Sequence, residues 1–127
     1  MNNVADELIK IAKLINGSKI DGMDKRKAVN VINREIGPLT KGLFKDNHWR
    51  PIKDIWEVLD GMDLDWNLTS NRYRKEDGVP VGKEWMFEVF FINKKGKKQK
   101  LYGTVVASGA GSLKDPLDRY DVVAYVS

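Results

Sequence analysis

Between residues 84 and 93 the chain reads EWMFEVFFIN. Successive side chains of a strand point to opposite faces, so Trp85, Phe87, Val89 and Phe91 line one face. Met86, Phe90 and Ile92 line the other, interrupted by Glu88. Such a strand belongs in the centre of a sheet, or beneath helices on one face with a partner on the other. The rest of the chain must therefore supply strands to pair with it and a layer to cover it.

Both are found. NKKGK makes a glycine-containing turn, and KLYGTVVAS (100–108) returns as a strand, the pattern of a hairpin. RYDVVAYVS (119–127) adds another strand, and WNLTSNRY (66–73) a weaker one; RKEDGVPVG (74–82) reads as a loop. Before Gly61 the period is helical. Val4, Leu8, Ile11 and Ile15 share a stripe, which predicts a helix over 4–16 that starts after Asn2 or Asn3 and leaves at Gly17. Asp24 is placed to cap a second helix with Ala28, Val29, Ile32 and Ile36 inward, stopped by Gly37-Pro38. Asn47 or Arg50 opens a third, with Pro51 in its first turn, Ile52, Ile55, Trp56 and Leu59 on one face, and Gly61 at its end.

The change of period near Gly61 predicts one α+β domain over 1–127, with a helical half (1–61) and a sheet half (62–127). Three N-terminal helices pack on one face of a C-terminal antiparallel sheet of three to four strands. Each half alone, at about 60 residues, would be marginal as an independent core, and the helical stripes need the surface the sheet offers.

The chain has no cysteine, which removes disulfides, thiolate metal sites and cysteine nucleophiles. Its first residues, MNNVADELIK, are charged where a signal peptide would be apolar. No apolar run approaches the roughly 18 residues needed to cross a bilayer. The expectation is a cytoplasmic protein with no membrane partner, in which the sequons at Asn16 and Asn67 are chance matches. Net charge is +4, from 22 Lys and Arg against 18 Asp and Glu. Five of those lysines, Lys94, Lys95, Lys97, Lys98 and Lys100, fall in NKKGKKQK; without them the balance is 17 against 18. The positive excess is local.

That lysine hairpin is the leading candidate site. Clustered ammonium groups attract phosphate backbones, and release of counterions drives the affinity. Arg72 and Arg74 extend the set, with Lys75 beside them, and Trp66, Tyr73 and Tyr102 are candidates to stack bases. The plainer role is solubility, since lysines at a hairpin keep a sheet edge unpaired. A second candidate is an apolar interface made by Trp85, Phe87, Phe91 and Tyr102, should no layer cover that face.

Other motifs are weaker. ASGAGS (107–112) follows a strand, as a phosphate loop would, but no Gly-Lys-Ser/Thr comes after it and Pro116 limits any following helix. The expected role is a strand exit, with Gly109 and Gly111 supplying positive φ. Asp115, Asp118 and Asp121 around Arg119 could serve as acid, base or Mg²⁺ ligands, but equally as turn and ion-pair residues. His48 is the only histidine and has no histidine or cysteine partner. No catalytic residue, metal site or cofactor is predicted.

VADELIKIAKLI resembles the N-terminal segments of small proteins of tailed-bacteriophage genomes, and ASGAGSLKDPLDRYDVVAYV looks like the end of an uncharacterised phage or prophage protein. The resemblance is confined to these two segments. It implies an origin, with the host cytoplasm or the virion as location, and transfers no functional residues. The leading expectation is a small non-enzymatic accessory protein that contacts nucleic acid or another polyanion through the lysine-rich hairpin. The alternative is a protein-interaction or self-assembling module, such as a phage structural or host-directed factor. A carboxylate-dependent enzyme comes third.

Overall fold

The computed structural model describes residues 17–45, 50–111 and 114–127. The helix predicted over 4–16 and His48 lie outside the described residues. What is described is α+β: two α-helices, a short 3₁₀ turn and a four-stranded antiparallel sheet.

The strands are β1 (Asp65–Glu76), β2 (Val79–Ile92), β3 (Lys98–Gly109) and β4 (Tyr120–Val126), in spatial order β1-β2-β3-β4. Each pairs with the next in the chain. β2 lies between β1 and β3, one of the two positions its apolar faces suggested, with Met86 and Ile92 of its second face exposed. The segment predicted as a loop over 74–82 is instead the end of a long hairpin. Asp77 and Gly78, with φ of 50° and 79°, form a two-residue turn closed by the Glu76–Val79 pair. Positive φ at both positions matches the right-handed twist of the strands it joins. On β2 the pairing with β3 extends only to Gly82, opposite Ser108, so the hairpin end projects beyond the sheet as a two-stranded arm. It is exposed from Asn71 to Pro80, and so carries no apolar alternation by which a strand could be recognised. Pro80 is tolerated there because no third strand lies alongside.

α1 (Lys25–Ile36) starts as expected: the Asp24 carboxylate accepts a hydrogen bond from the Lys27 amide at 2.8 Å. Ala28, Ile32 and Ile36 are buried. The Gly37–Thr40 segment is the 3₁₀ turn, with Pro38 at its start. α2 (Arg50–Gly61) buries Pro51, Ile52, Ile55 and Leu59. Both helices share one core with the inner sheet face, which carries Phe87, Val89, Leu101, Val105, Val122 and Val126 among others.

Two details fix this layer. Gly103 stands directly opposite Phe87, and the Phe87 ring occupies the space where a Cβ on residue 103 would lie. Glycine here makes room for the Phe87 ring at the centre of the sheet. Trp56 of α2 stacks on Trp66 of β1 at 5.2 Å, and both meet the Phe87 ring edge-on at 5.6 and 6.2 Å. The Trp66 indole N–H donates to Asp60 at 2.9 Å, so its polar end is satisfied. At the far edge, the Asn33 amide of α1 pairs with Val126 as a strand would. It donates to the carbonyl at 3.2 Å and accepts from the N–H at 2.8 Å. Phe44 makes a reciprocal backbone bridge to Tyr120 and stacks on its ring. Together these cover part of the outer edge of β4.

Candidate nucleic-acid interface

The β2–β3 turn is held rigidly at its backbone. The Asn93 side-chain oxygen accepts from the amides of Lys95 and Lys97 at 2.9 and 3.0 Å, the Asn93 amide donates to the Lys97 carbonyl at 2.8 Å, and Gly96 turns the chain at φ 76°. The turn is also tied to the segment before α1. The Ile92 amide donates to the Asp21 carboxylate, the Ile92 carbonyl accepts from Gly22, and the Lys94 amide donates to the Met23 carbonyl. This docking brings Lys25 of α1 to the tip, where it lines a cleft of about 260 Å³ with Asp24, Lys94 and Lys95. Lys25, Arg26 and Lys27 fill the first turn of α1, which holds no acidic residue. Cations there oppose the helix dipole, so they add positive potential at a modest cost to the helix.

The five hairpin lysines divide into two groups. Lys94, Lys95, Lys97 and Lys98 are exposed and join none of the ion pairs found among the described residues. Lys100, on β3, pairs with Glu88 at 3.2 Å. Arg72 pairs with Glu84 at 3.3 Å, and Arg74 is exposed on the projecting arm. The cations predicted as one set are thus a free cluster at the tip, two residues partly neutralised on the sheet, and one at a distance along β1.

Lys98 and Lys100 belong to the outer sheet face, and no described helix covers it. Strand register places Phe90, Lys100 and Asp65 in one row, Glu88 and Tyr102 in the next, then Met86, Thr104 and Tyr125, then Glu84, Val106 and Val123. Tyr102 is 59% exposed, Val123 55% and Tyr125 46%; Phe90 is half-buried. The Lys98 ammonium lies 4.8 Å from the Phe90 centroid, and that of Lys100 lies 5.5 Å from both Phe90 and Tyr102. Phe90 and Tyr125 were not singled out from the sequence. The alternation signal was there, and Glu84 and Glu88 mark that face of β2 as the less apolar one, but the helices were not assigned to a face from it.

The proposed apolar interface is corrected in this light. Trp85, Phe87 and Phe91 are buried beneath the helices, with Phe87 only 1% exposed, so the condition for that interface is not met. Tyr102, grouped with them, lies on the opposite face. Of the stacking candidates, Trp66 is committed to the core, and Tyr73 lies on β1 opposite Lys83, whose ammonium is 4.9 Å from the ring centroid. Tyr102 alone shares a face with Lys98 and Lys100.

The glycine loop is a strand exit, but for a different reason than predicted. Neither Gly109 nor Gly111 is in the left-handed region. A Cβ at Gly109 would strike the Pro116 carbonyl, and one at Gly111 the Asp115 carbonyl. The loop closes on itself: the Ala110 amide donates to the Arg119 carbonyl at 2.6 Å and the Gly111 amide to Pro116 at 2.9 Å. Amides already bonded in this way cannot cradle phosphate. Asp115, Asp118 and Asp121 are exposed, and the described residues hold no group of three or more metal-ligating side chains. A groove of about 630 Å³ beside Trp66 is bordered by Asp21, Asp60, Asp63 and Asp65, but Asp21 and Asp60 are engaged with Ile92 and Trp66. No helix among the described residues is long and apolar enough to cross a membrane.

Neither family models, nor curated proteins, nor solved structures yield a match to this chain. Function must be read from the geometry.

Proposed function

We propose that the protein is a non-enzymatic binding module that contacts nucleic acid, or a polyanion like it, through the β2–β3 tip. The observation that carries this reading is the contrast between the tip and the sheet. On the sheet, Lys100 and Arg72 have carboxylate partners. At the tip, Lys94, Lys95, Lys97 and Lys98 have none among the described residues, and Lys25 adds to them. Free ammonium groups on a backbone pinned by Asn93 and Asp21 form a fixed positive surface that phosphates would neutralise. The test is fluorescence anisotropy with a labelled oligonucleotide across a salt series. Affinity should fall steeply with salt. Replacing Lys94, Lys95 and Lys97 with Gln should make the log–log salt slope shallower by about 2 to 3. An unchanged slope, or no binding at low salt, removes the reading.

A protein-interaction role is the second reading, favoured by the exposed apolar residues Met86, Val123 and Tyr125 away from the lysines. It would use the sheet face. The β1 edge is broken by register shifts at Leu68/Ser70 and Arg74/Lys75 and carries charge, both of which oppose edge-to-edge pairing.

A further inference from the structure

We infer that the outer sheet face binds unpaired nucleotides, by stacking bases on Phe90, Tyr102 and Tyr125, so that the tip lysines serve a single strand. The inference rests on the polyanion reading above and narrows its ligand class. Register sets the three rings on a diagonal across β2, β3 and β4. Phe90 is opposite Lys100 and two residues along from the Tyr102 row; Tyr125 is opposite Thr104, two residues beyond Tyr102. Diagonal neighbours on one sheet face are about 7–8 Å apart. Bases stacked in a helix are separated by about 3.4 Å along each strand. Neighbouring stacked bases therefore cannot each take one of these rings. A strand with splayed bases can, and a duplex, whose bases expose only their edges, cannot.

The charges are arranged to suit such a strand. The central acids of the face, Glu84 and Glu88, are each paired with a cation, which lowers their repulsion of phosphate; Asp65, opposite Phe90, is the remaining acid at that end and lines the same groove as Lys98. Free positive charge begins at the Phe90 end, with Lys98, and continues into the tip through Lys97, Lys95 and Lys94. Lys98 and Lys100 already lie against Phe90 and Tyr102. Lys98, which has no carboxylate partner among the described residues, is on a flexible stem, so leaving Phe90 exposes its face to a base and brings the ammonium toward the adjoining phosphate, while Lys100 stays on Glu88. The ring diagonal and the lysine tip then form one continuous track.

The test compares a fluorescein-labelled oligothymidylate with a duplex of the same length, at fixed low salt. The single strand should bind at least about tenfold more tightly. Tyr102→Leu should weaken it by about fivefold or more, whereas Tyr102→Phe, which keeps the aromatic face, should not. Tyr125→Leu is a second variant, and thermal midpoints confirm that both remain folded, as expected for exposed positions. Equal affinity for the duplex, with no effect of Tyr102→Leu and loss on replacing the tip lysines, overturns this inference and leaves the polyanion reading standing. Absence of binding to either probe overturns both. A concentration-dependent dimer in light scattering that Tyr102→Leu dissolves would make this face a contact between copies of the chain, and would also overturn it.

Discussion

On one face of β2, Trp85, Phe87, Val89 and Phe91 are buried in the core that the sheet shares with two helices. On the other, Met86 and Ile92 meet solvent, Phe90 is half-covered by lysine stems, and Glu84 and Glu88 hold ion pairs across to β1 and β3. The two rows belong to the same strand, but the outer one carries two glutamates where the inner one is wholly apolar. Their difference in burial also comes from what each meets. The inner row finds Ala28, Ile32, Ile55 and Leu59 at helical spacing and a glycine at residue 103. The outer row alternates with charges on its own and neighbouring strands, which suits it to water where no described element covers it. A sheet with one face sealed and the other open can bind on the open side without disturbing the fold.

Substitutions on the two faces can break that contrast. The largest effect is expected at the centre of the sealed face. Phe87→Ala removes the ring that joins Trp56, Trp66 and Gly103, and should cost about 3–5 kcal/mol in urea denaturation. A loss below about 1 kcal/mol would mean that the inner layer is loosely packed. Gly103→Ala should come next, at about 1–3 kcal/mol, because the new methyl group must displace the Phe87 ring. The paired variant Gly103→Ala with Phe87→Leu should recover part of that loss; strict additivity would show that the two residues do not share the space. The smallest effect belongs to the open face. Val123→Thr keeps a β-branched side chain at an exposed position and should change stability by less than about 0.5 kcal/mol. A larger loss there would reveal that the outer face is covered in solution.

Much of the architecture was legible because it depends on short-range patterns. The Asp24 cap, the Ala28–Ile32–Ile36 stripe, the Pro51 start of α2 and the β2–β3 hairpin all follow from spacing within a few residues. The 74–82 arm was not legible. Its strands are exposed on both sides, and the Asp77-Gly78 turn was the one available signal. In the candidate site, the lysine cluster was visible as composition. The closeness of Lys25 was not, because it depends on Asp21 and Met23 bonding to β2 and the turn across some seventy residues of chain.

The amino-acid order by itself determined that 84–93 would be a strand apolar on both faces, that helices would precede a sheet, and that positive charge would gather at one turn. Local spacing and electrostatic composition suffice for these, since each arises within one element or a pair of adjacent ones. Only the tertiary structure decided which face of β2 the helices would cover, and hence that Phe90, Tyr102 and Tyr125 would face outward together. That choice depends on shape: Gly103 leaves room for Phe87 on one side of the sheet, and helix packing follows the side where the large rings can be filled in.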